Sequence, residues 1–232
     1  MPQDVPQHIA IIPDGNRRWA RDKNLPAILG HKKGADNFEK LADYCRSIGV
    51  KCVTMWVFST ENWKRSKDEI ESLFELVRGY MDHYKNKCIK EKINFLHIGR
   101  KDRLPQDILD VIAEMEEKTK SFTDFTICLA ADYGGHDEII RAIKKMAKKA
   151  TEITEELLSS HLDTAGLPAL DLIIRPGGEY RLSGFMTWQS EYAEYYYTPK
   201  YFPDFSTADM ETAISNFSQR ERRFGGNIEK KN

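Results

Sequence analysis

The chain has 232 residues, 41% hydrophobic and 31% charged, enough for one substantial core, and it reads as a single domain spanning residues 1–232. A net charge of -1 offers no general attraction to nucleic acid, so affinity for anions must come from local clusters of Arg and Lys. Cys45, Cys52, Cys88 and Cys128 show no C-x-x-C pairing, the amino terminus has no signal pattern, and no apolar run approaches the roughly 20 residues that span a bilayer; the expectation is a reduced, cytoplasmic protein that meets a membrane, if at all, from the side.

The opening apolar run ends at an acid, a glycine and two arginines: His8-Ile-Ala-Ile-Ile-Pro-Asp14-Gly15-Asn16-Arg17-Arg18-Trp19. Its isoleucines favour a buried strand, Pro13 removes a ladder donor, and Gly15 suits a tight turn. Asp14 is therefore expected at a strand's carboxyl end, the edge where open α/β sheets gather ligands. A turn with a capping Asp would account for an isolated Asp-Gly-Asn. The rest of the chain argues for more.

Residues 17–49 read as mostly helical, with Phe38, Leu41, Ala42 and Cys45 on one face. Residues 25–34 read as an interrupting loop that brings Gly30, His31, Lys32, Lys33 and Gly34 to a helix start, where free N–H groups attract anions. A second strand over 50–58 breaks into Ser59-Thr60-Glu61-Asn62-Trp63-Lys64-Arg65. The spacing of Ile70, Leu73, Phe74, Val77, Tyr80, Met81 and Tyr84 predicts a helix over 66–90, whose aromatic stripe suits either plain packing or the wall of a ligand tunnel. Strands follow over 93–99, 125–132 and 171–174, and helices over 106–120, 135–150 and 155–162. In the helix over 135–150, Ile139, Ile140 and Ile143 are expected inward and the lysines outward. Strands alternating with helices of this length define the α/β class, a parallel sheet with right-handed crossovers.

After the last of these strands comes Arg175-Pro-Gly-Gly-Glu-Tyr-Arg181-Leu-Ser183. Two guanidiniums around a Gly-Gly turn, with a serine two residues on, suit a diphosphate, although a surface loop of salt-bridged arginines would use the same residues. A final helix from 207 runs into Arg220-Glu-Arg-Arg223-Phe-Gly-Gly, which a basic last turn and glycine cap would explain.

The chain lacks both the G-x-x-x-x-G-K-[ST] and the G-x-G-x-x-G pattern, so phosphate is expected to be held by side chains. Carboxylate beside phosphate implies Mg²⁺, with Asp14 and Glu194 as candidate ligands. Trp19, Trp56, Phe58, Trp63 and the tyrosines around Tyr195 add apolar surface, pointing to a substrate with a diphosphate head and a hydrocarbon tail.

These blocks, His-Ile-Ala-Ile-Ile-x-Asp-Gly-Asn-Arg-Arg-Trp-Ala, Gly-His-Lys-x-Gly, Phe-Ser-Thr-Glu-Asn-Trp-x-Arg, Tyr-Gly-Gly, Asp-Leu-Ile-Ile-Arg-x-Gly-Gly-Glu-x-Arg-Leu-Ser and Arg-Glu-Arg-Arg-Phe-Gly-Gly, resemble those of the cis-prenyltransferases, in order from His8 to Gly226. The resemblance implies a six-stranded parallel sheet flanked by helices, a hydrophobic tunnel, a homodimer and Mg²⁺. It implies condensation of isopentenyl diphosphate onto an allylic diphosphate such as farnesyl diphosphate, each new double bond cis, with the product delivered to a membrane. Asp14 then matches the metal and diphosphate aspartate; Asn16, Arg18 and His31 match the allylic diphosphate site, with Gly15, Arg17 and Trp19 beside them. Arg175, Arg181 and Ser183 match the isopentenyl diphosphate site, and Glu194 matches a second carboxylate near the metal. Ser59 and Asn62 match residues beside the reacting carbons, with Thr60, Glu61, Trp63 and Arg65 completing that block. Arg223 matches an element that reaches across the dimer.

Some positions depart from the family pattern. Ala27 stands where arginine is usual, and Arg17 is the expected source of the missing charge. Asp132 and His136 flank Tyr133-Gly-Gly where asparagine and arginine are usual, and Pro13, Pro176 and Gly184 also differ. Val57 is expected in the tunnel wall, where bulk limits chain length. The alternatives are a short-chain or irregular synthase on the same fold, or a non-catalytic partner subunit.

Overall fold

The computed structural model describes residues 4–147 and 152–220. Six parallel strands, β1 (His8–Ile11), β2 (Cys52–Ser59), β3 (Asn94–Ile98), β4 (Thr126–Tyr133), β5 (Leu172–Pro176) and β6 (Glu194–Thr198), form one sheet in the order β3-β4-β2-β1-β5-β6. The helices are α1 (Asn16–Asp22), α2 (Ala27–Ser47), α3 (Lys67–Glu91), α4 (Gln106–Thr119), α5 (Gly135–Met146), α6 (Glu155–His161) and α7 (Thr207–Ser218). The chain leaves β1 toward one side of the sheet and β5 toward the other. Their carboxyl ends therefore flank a topological switch point, where such sheets open a crevice.

Alternation along the central strands splits the core. Ile9, Ile11, Val53, Phe95, Ile127, Leu172 and Ile174 pack with residues of α2, α3, α4 and α7, while Ala10, Ile12, Cys128, Ala130 and Ile173 join Phe185 and Met186 in a second cluster. Between β2 and β4 the register slips twice. Trp56 faces Ala130, Phe58 faces Ala131 and Ser59 faces Tyr133, so Val57 is an extra residue on β2 and Asp132 an extra residue on β4. The two bulges cancel, and the strands leave the sheet back in step.

Three sequence expectations are corrected. Residues 25–34 are not a loop: Pro26 lies just before α2, which begins at Ala27, and Gly30, His31 and Gly34 lie within its first turns. Glycine survives there because a Cβ on Gly30 would lie 2.1 Å from the Asn16 carbonyl oxygen, and one on Gly34 2.6 Å from Asn16 Oδ1. On α5 the inward stripe is Gly135, Glu138, Ala142 and Met146, whereas Ile140 and Ile143 are exposed. Glu138 can be buried because its carboxylate accepts from the Tyr133 hydroxyl (2.6 Å), Gln189 Nε2 (2.9 Å) and the Asp163 N–H (2.9 Å). Finally, the Tyr195–Tyr197 stretch belongs to the edge strand β6, which the residue pattern alone does not mark as a strand.

β1 is anchored at its start by a buried histidine. His8 Nδ1 lies 3.0 Å from the Pro168 carbonyl, an obligate acceptor, so Nδ1 carries the proton and Nε2 accepts from Thr54 Oγ1 at 2.7 Å. Burial lowers the His8 pKa from 6.5 to about 4, against the Pro168 bond and Asp171, which raise it. The unfolded chain thus binds a proton that the native state refuses. His8's contribution is complete above about pH 6.5 and is lost as pH falls toward 4, by up to about 3 kcal/mol. Urea midpoints should therefore fall from pH 7 to pH 5, and less steeply in His8→Asn; equal slopes would refute this role.

Candidate active site

The switch point holds a polar pocket of about 770 Å³ lined by Asp14, Gly15, Asn16, Arg17, Arg18, Arg21, Ala27, His31 and Arg65, among others. Asp14 is delivered by the end of β1, and Gly15 at φ 94 makes the turn that starts α1. A side chain at Gly15 would strike Tyr201, whose ring also lies under Arg18 at 5.3 Å. Asp14 Oδ1 accepts from the Gly15 N–H (2.6 Å) and Arg18 (3.0 Å), and Oδ2 accepts from Arg175 (2.9 Å). Burial pushes the Asp14 pKa up, but the Arg175 bond and charge, Arg18 and the Gly15 N–H outweigh it and hold the carboxyl below its ordinary value. Asp14 is ionised at neutral pH.

Arg175, at the end of β5, is buried, and its guanidinium is fixed by the Arg181 carbonyl, Ser183 Oγ (3.1 Å) and Asp14. Arg181 itself is exposed and pairs with Glu179, which also approaches Arg18 at 3.7 Å. The loop read as diphosphate-binding thus reaches Asp14 through Arg175. Across the pocket, Glu69 in the first turn of α3 meets Arg65 at 3.1 Å and Arg17 at 3.5 Å. The sequence reading misses Glu69, as it misses Arg21 and Tyr201. A carboxylate near a helix start is the only local signal Glu69 gives, and that does not reveal which arginines it will face.

A second cavity, of about 170 Å³, adjoins the first and is almost wholly apolar. Phe38 of α2, Leu73, Phe74, Val77, Tyr80 and Met81 of α3, Met55, Val57 and Phe58 of β2, and Ile108, Ile112 and Met115 of α4 are among its walls. The aromatic stripe of α3 is thus tunnel wall as well as core, and the Val57 bulge lets two consecutive residues face the tunnel. Pro13, Asn16 and His31 line both cavities and form the neck between them. In the neck, Asn16 Oδ1 and His31 Nε2 are buried with no hydrogen-bond partner. Burial foremost, then Arg65 and Arg17, lowers the His31 pKa to about 4 despite Glu69, so the imidazole is neutral at pH 7.

Other candidates lie elsewhere. The residues after β2 form a 3-10 turn (Thr60–Lys64), in which the Ser59 N–H donates to Asn62 Oδ1 at 3.0 Å. Asn62's oxygen thus caps its own turn. Thr60 donates to Glu61, and Trp63 Nε1 donates to Asp132 at 2.9 Å. Only Arg65 of this block lines the polar pocket. Trp56 points away from the tunnel and stacks on Phe185 at 4.8 Å. Glu194 is not brought to Asp14 within this chain: it opens β6 level with Leu172, at the other end of the strands, and pairs with Arg220. Arg223 lies outside the described residues. Among the described residues no group of three or more His, Cys, Asp or Glu side chains is placed to hold a metal. A hard cation here would rest on Asp14, with phosphate oxygens and water completing its shell.

The fold is thus an α/β sheet with a cationic, aspartate-centred pocket at its carboxyl edge, joined by a narrow neck to an apolar tunnel. The family described as "Putative undecaprenyl diphosphate synthase" matches residues 12–225. The isoprenyl transferase of Aquifex pyrophilus is 46% identical over 222 residues, 95% of this chain and 96% of that one. A solved structure of a "probable undecaprenyl diphosphate synthase" from Campylobacter jejuni is 36% identical, covers 96% of this chain and 100% of its own, and gives a TM-score of 0.82. The lavandulyl diphosphate synthase of Lavandula x intermedia, solved with dimethylallyl diphosphate, is 34% identical with a TM-score of 0.91 over 95% of this chain and 98% of its own. The chain belongs to the undecaprenyl diphosphate synthase family of cis-prenyltransferases.

Proposed function

We propose that this prenyltransferase condenses isopentenyl diphosphate with an allylic diphosphate, farnesyl diphosphate being the expected primer, to build a cis-polyprenyl diphosphate of the undecaprenyl type. The observation that supports it most is the neck: Asn16 and His31 line both the cationic pocket and the apolar tunnel, so a diphosphate in one places its prenyl tail in the other. Arg17, Arg18 and Arg65 supply donors for the allylic diphosphate, and Arg175 with Arg181 and Ser183 for the second diphosphate. Neutral His31 would donate one ring N–H to a phosphate oxygen rather than act as a cation. Mg²⁺, held by Asp14 and phosphate oxygens, would neutralise the charge that grows on the departing diphosphate. The allylic C–O bond breaks, the double bond of isopentenyl diphosphate forms the new C–C bond, and a proton is lost from the condensed unit to restore an alkene. The chain is proposed to work as a homodimer on the cytoplasmic side and to deliver its insoluble product to a membrane. No helix among the described residues is long and apolar enough to cross one.

The likeness to lavandulyl diphosphate synthase supports a second reading, coupling of two short allylic diphosphates. Incubations with Mg²⁺ and either labelled isopentenyl diphosphate plus farnesyl or dimethylallyl diphosphate, or labelled dimethylallyl diphosphate alone, separate the two. Long cis products that require isopentenyl diphosphate are expected. A branched ten-carbon product from dimethylallyl diphosphate alone would replace the first reading by the second, and no product from any combination would defeat both.

A further inference from the structure

Asp132 lines neither cavity, yet two segments that border the apolar cavity meet on its carboxylate. It is fully buried, it is the extra residue of β4, and its backbone is left-handed at φ 52, an uncommon conformation for a residue other than glycine. Trp63 Nε1 donates to Oδ1 at 2.9 Å, Arg103 donates from Nε to Oδ2 at 2.8 Å and from Nη2 to Oδ1, and the Arg103 guanidinium lies over the Trp63 ring at 5.5 Å. The Asp132 carbonyl accepts from the Arg100 N–H at 3.0 Å. A carboxylate can accept an indole and a guanidinium fork together, whereas an amide in its place would turn donors toward one of them.

The two partners lead back to the site. Trp63 follows Asn62 in the 3-10 turn, and its ring meets Phe58 at 5.2 Å and Phe74 at 5.8 Å, both tunnel walls. Arg103 precedes Leu104, another wall residue. We propose that Asp132 is a positioning residue for prenyl transfer: through Trp63 it sets the turn that carries Ser59 and Asn62, and through Arg103 it fixes the adjoining tunnel wall. This rests on the prenyl-transfer reading above and on the resemblance that matches Ser59 and Asn62 to residues beside the reacting carbons.

A double-mutant cycle tests it. Asp132→Ala and Trp63→Phe should each lower kcat about tenfold, with KM for both diphosphates changed no more than about twofold, and the double variant should be no slower than the worse single one. The near-UV circular dichroism that Trp63→Phe removes should also be lost in Asp132→Ala, a readout that holds whatever the chain's substrate proves to be. If Asp132→Ala does not fold, Arg103→Gln takes its place in the cycle, with the same non-additivity expected. Losses that multiply, or a Trp63 signal untouched by Asp132→Ala, would overturn the proposal. A wild-type protein that condenses no prenyl diphosphate would instead defeat the reading beneath it, leaving the spectroscopic arm to judge the Asp132–Trp63 link.

Discussion

Asp14→Ala is expected to lower turnover by about 10³-fold while the protein stays folded. Asp14 is where two electrostatic demands meet, one of them buried. Arg175 is nearly fully covered and loses an ion-pair partner when the carboxylate goes, and Arg18 loses the acceptor that turns it toward the pocket. On the proposed mechanism, the site would then keep its cations but lose the carboxylate that, among the described lining residues of the polar pocket, is proposed to hold a divalent ion. Asp14→Asn separates charge from shape, since it keeps an acceptor for the Gly15 N–H in a side chain of nearly the same outline. Turnover in Asp14→Asn should fall almost as far as in Asp14→Ala; retention of a tenth or more of wild-type activity would mean that the negative charge is not what the chemistry needs. Because Asp14 is held ionised by its arginines, the carboxylate itself should not limit activity until well into the acid range.

Gly30→Ala should be the most damaging single methyl in the amino-terminal region. Alanine is the better helix former by about 1 kcal/mol, so propensity alone predicts a gain. Geometry predicts the reverse: the new Cβ would sit 2.1 Å from the Asn16 carbonyl oxygen and 2.9 Å from its carbonyl carbon, both backbone atoms that no rotamer change can move. α1 and α2 would have to separate, at a net cost of about 2 kcal/mol and a fall in Tm of about 4 to 8 °C. Asn16 stands in the neck, so kcat/KM should fall as well. Gly79→Ala is the matched control. Gly79 lies within α3, and a methyl added there would meet nothing within 4 Å, so the same substitution should stabilise by up to about 1 kcal/mol. Equal urea midpoints for the two variants would show that close approach at Gly30 is not what requires glycine.

The parts of this architecture that are legible in the sequence are those set by local rules. Ile9 to Pro13 announce a buried strand and its end, and the glycine and arginines after it announce a site, because strand periodicity and turn chemistry act over a few residues. The cluster at Arg175 is also legible, though its alternative use as a salt-bridged loop is partly realised, since Arg181 pairs with Glu179. What stays hidden is decided by tertiary contact. Gly30 and Gly34 read as loop residues because glycine disfavours helix, and only the closeness of α1 explains them. Ile140 and Ile143 read as core because they are apolar, yet hydrogen bonds to Glu138 make the other face of α5 the buried one. Resemblance groups Glu194 with Asp14. Strand direction puts the two at opposite ends of the sheet within one chain, and their meeting would need a second copy.

The paired bulges carry a consequence for how such a protein can change over time. Val57 and Asp132 are each one residue too many for their strand, and each is tolerated because the other restores the count before Ser59 and Tyr133 are reached. A deletion at either position would leave the strands out of phase from there onward, turning side chains meant for the tunnel toward the opposite core. The bore of the tunnel and the support of the turn beside it are therefore inherited as a unit. The bore can vary with the bulk of the side chain at 57, but the spacing that puts it there is locked to its counterpart across the ladder.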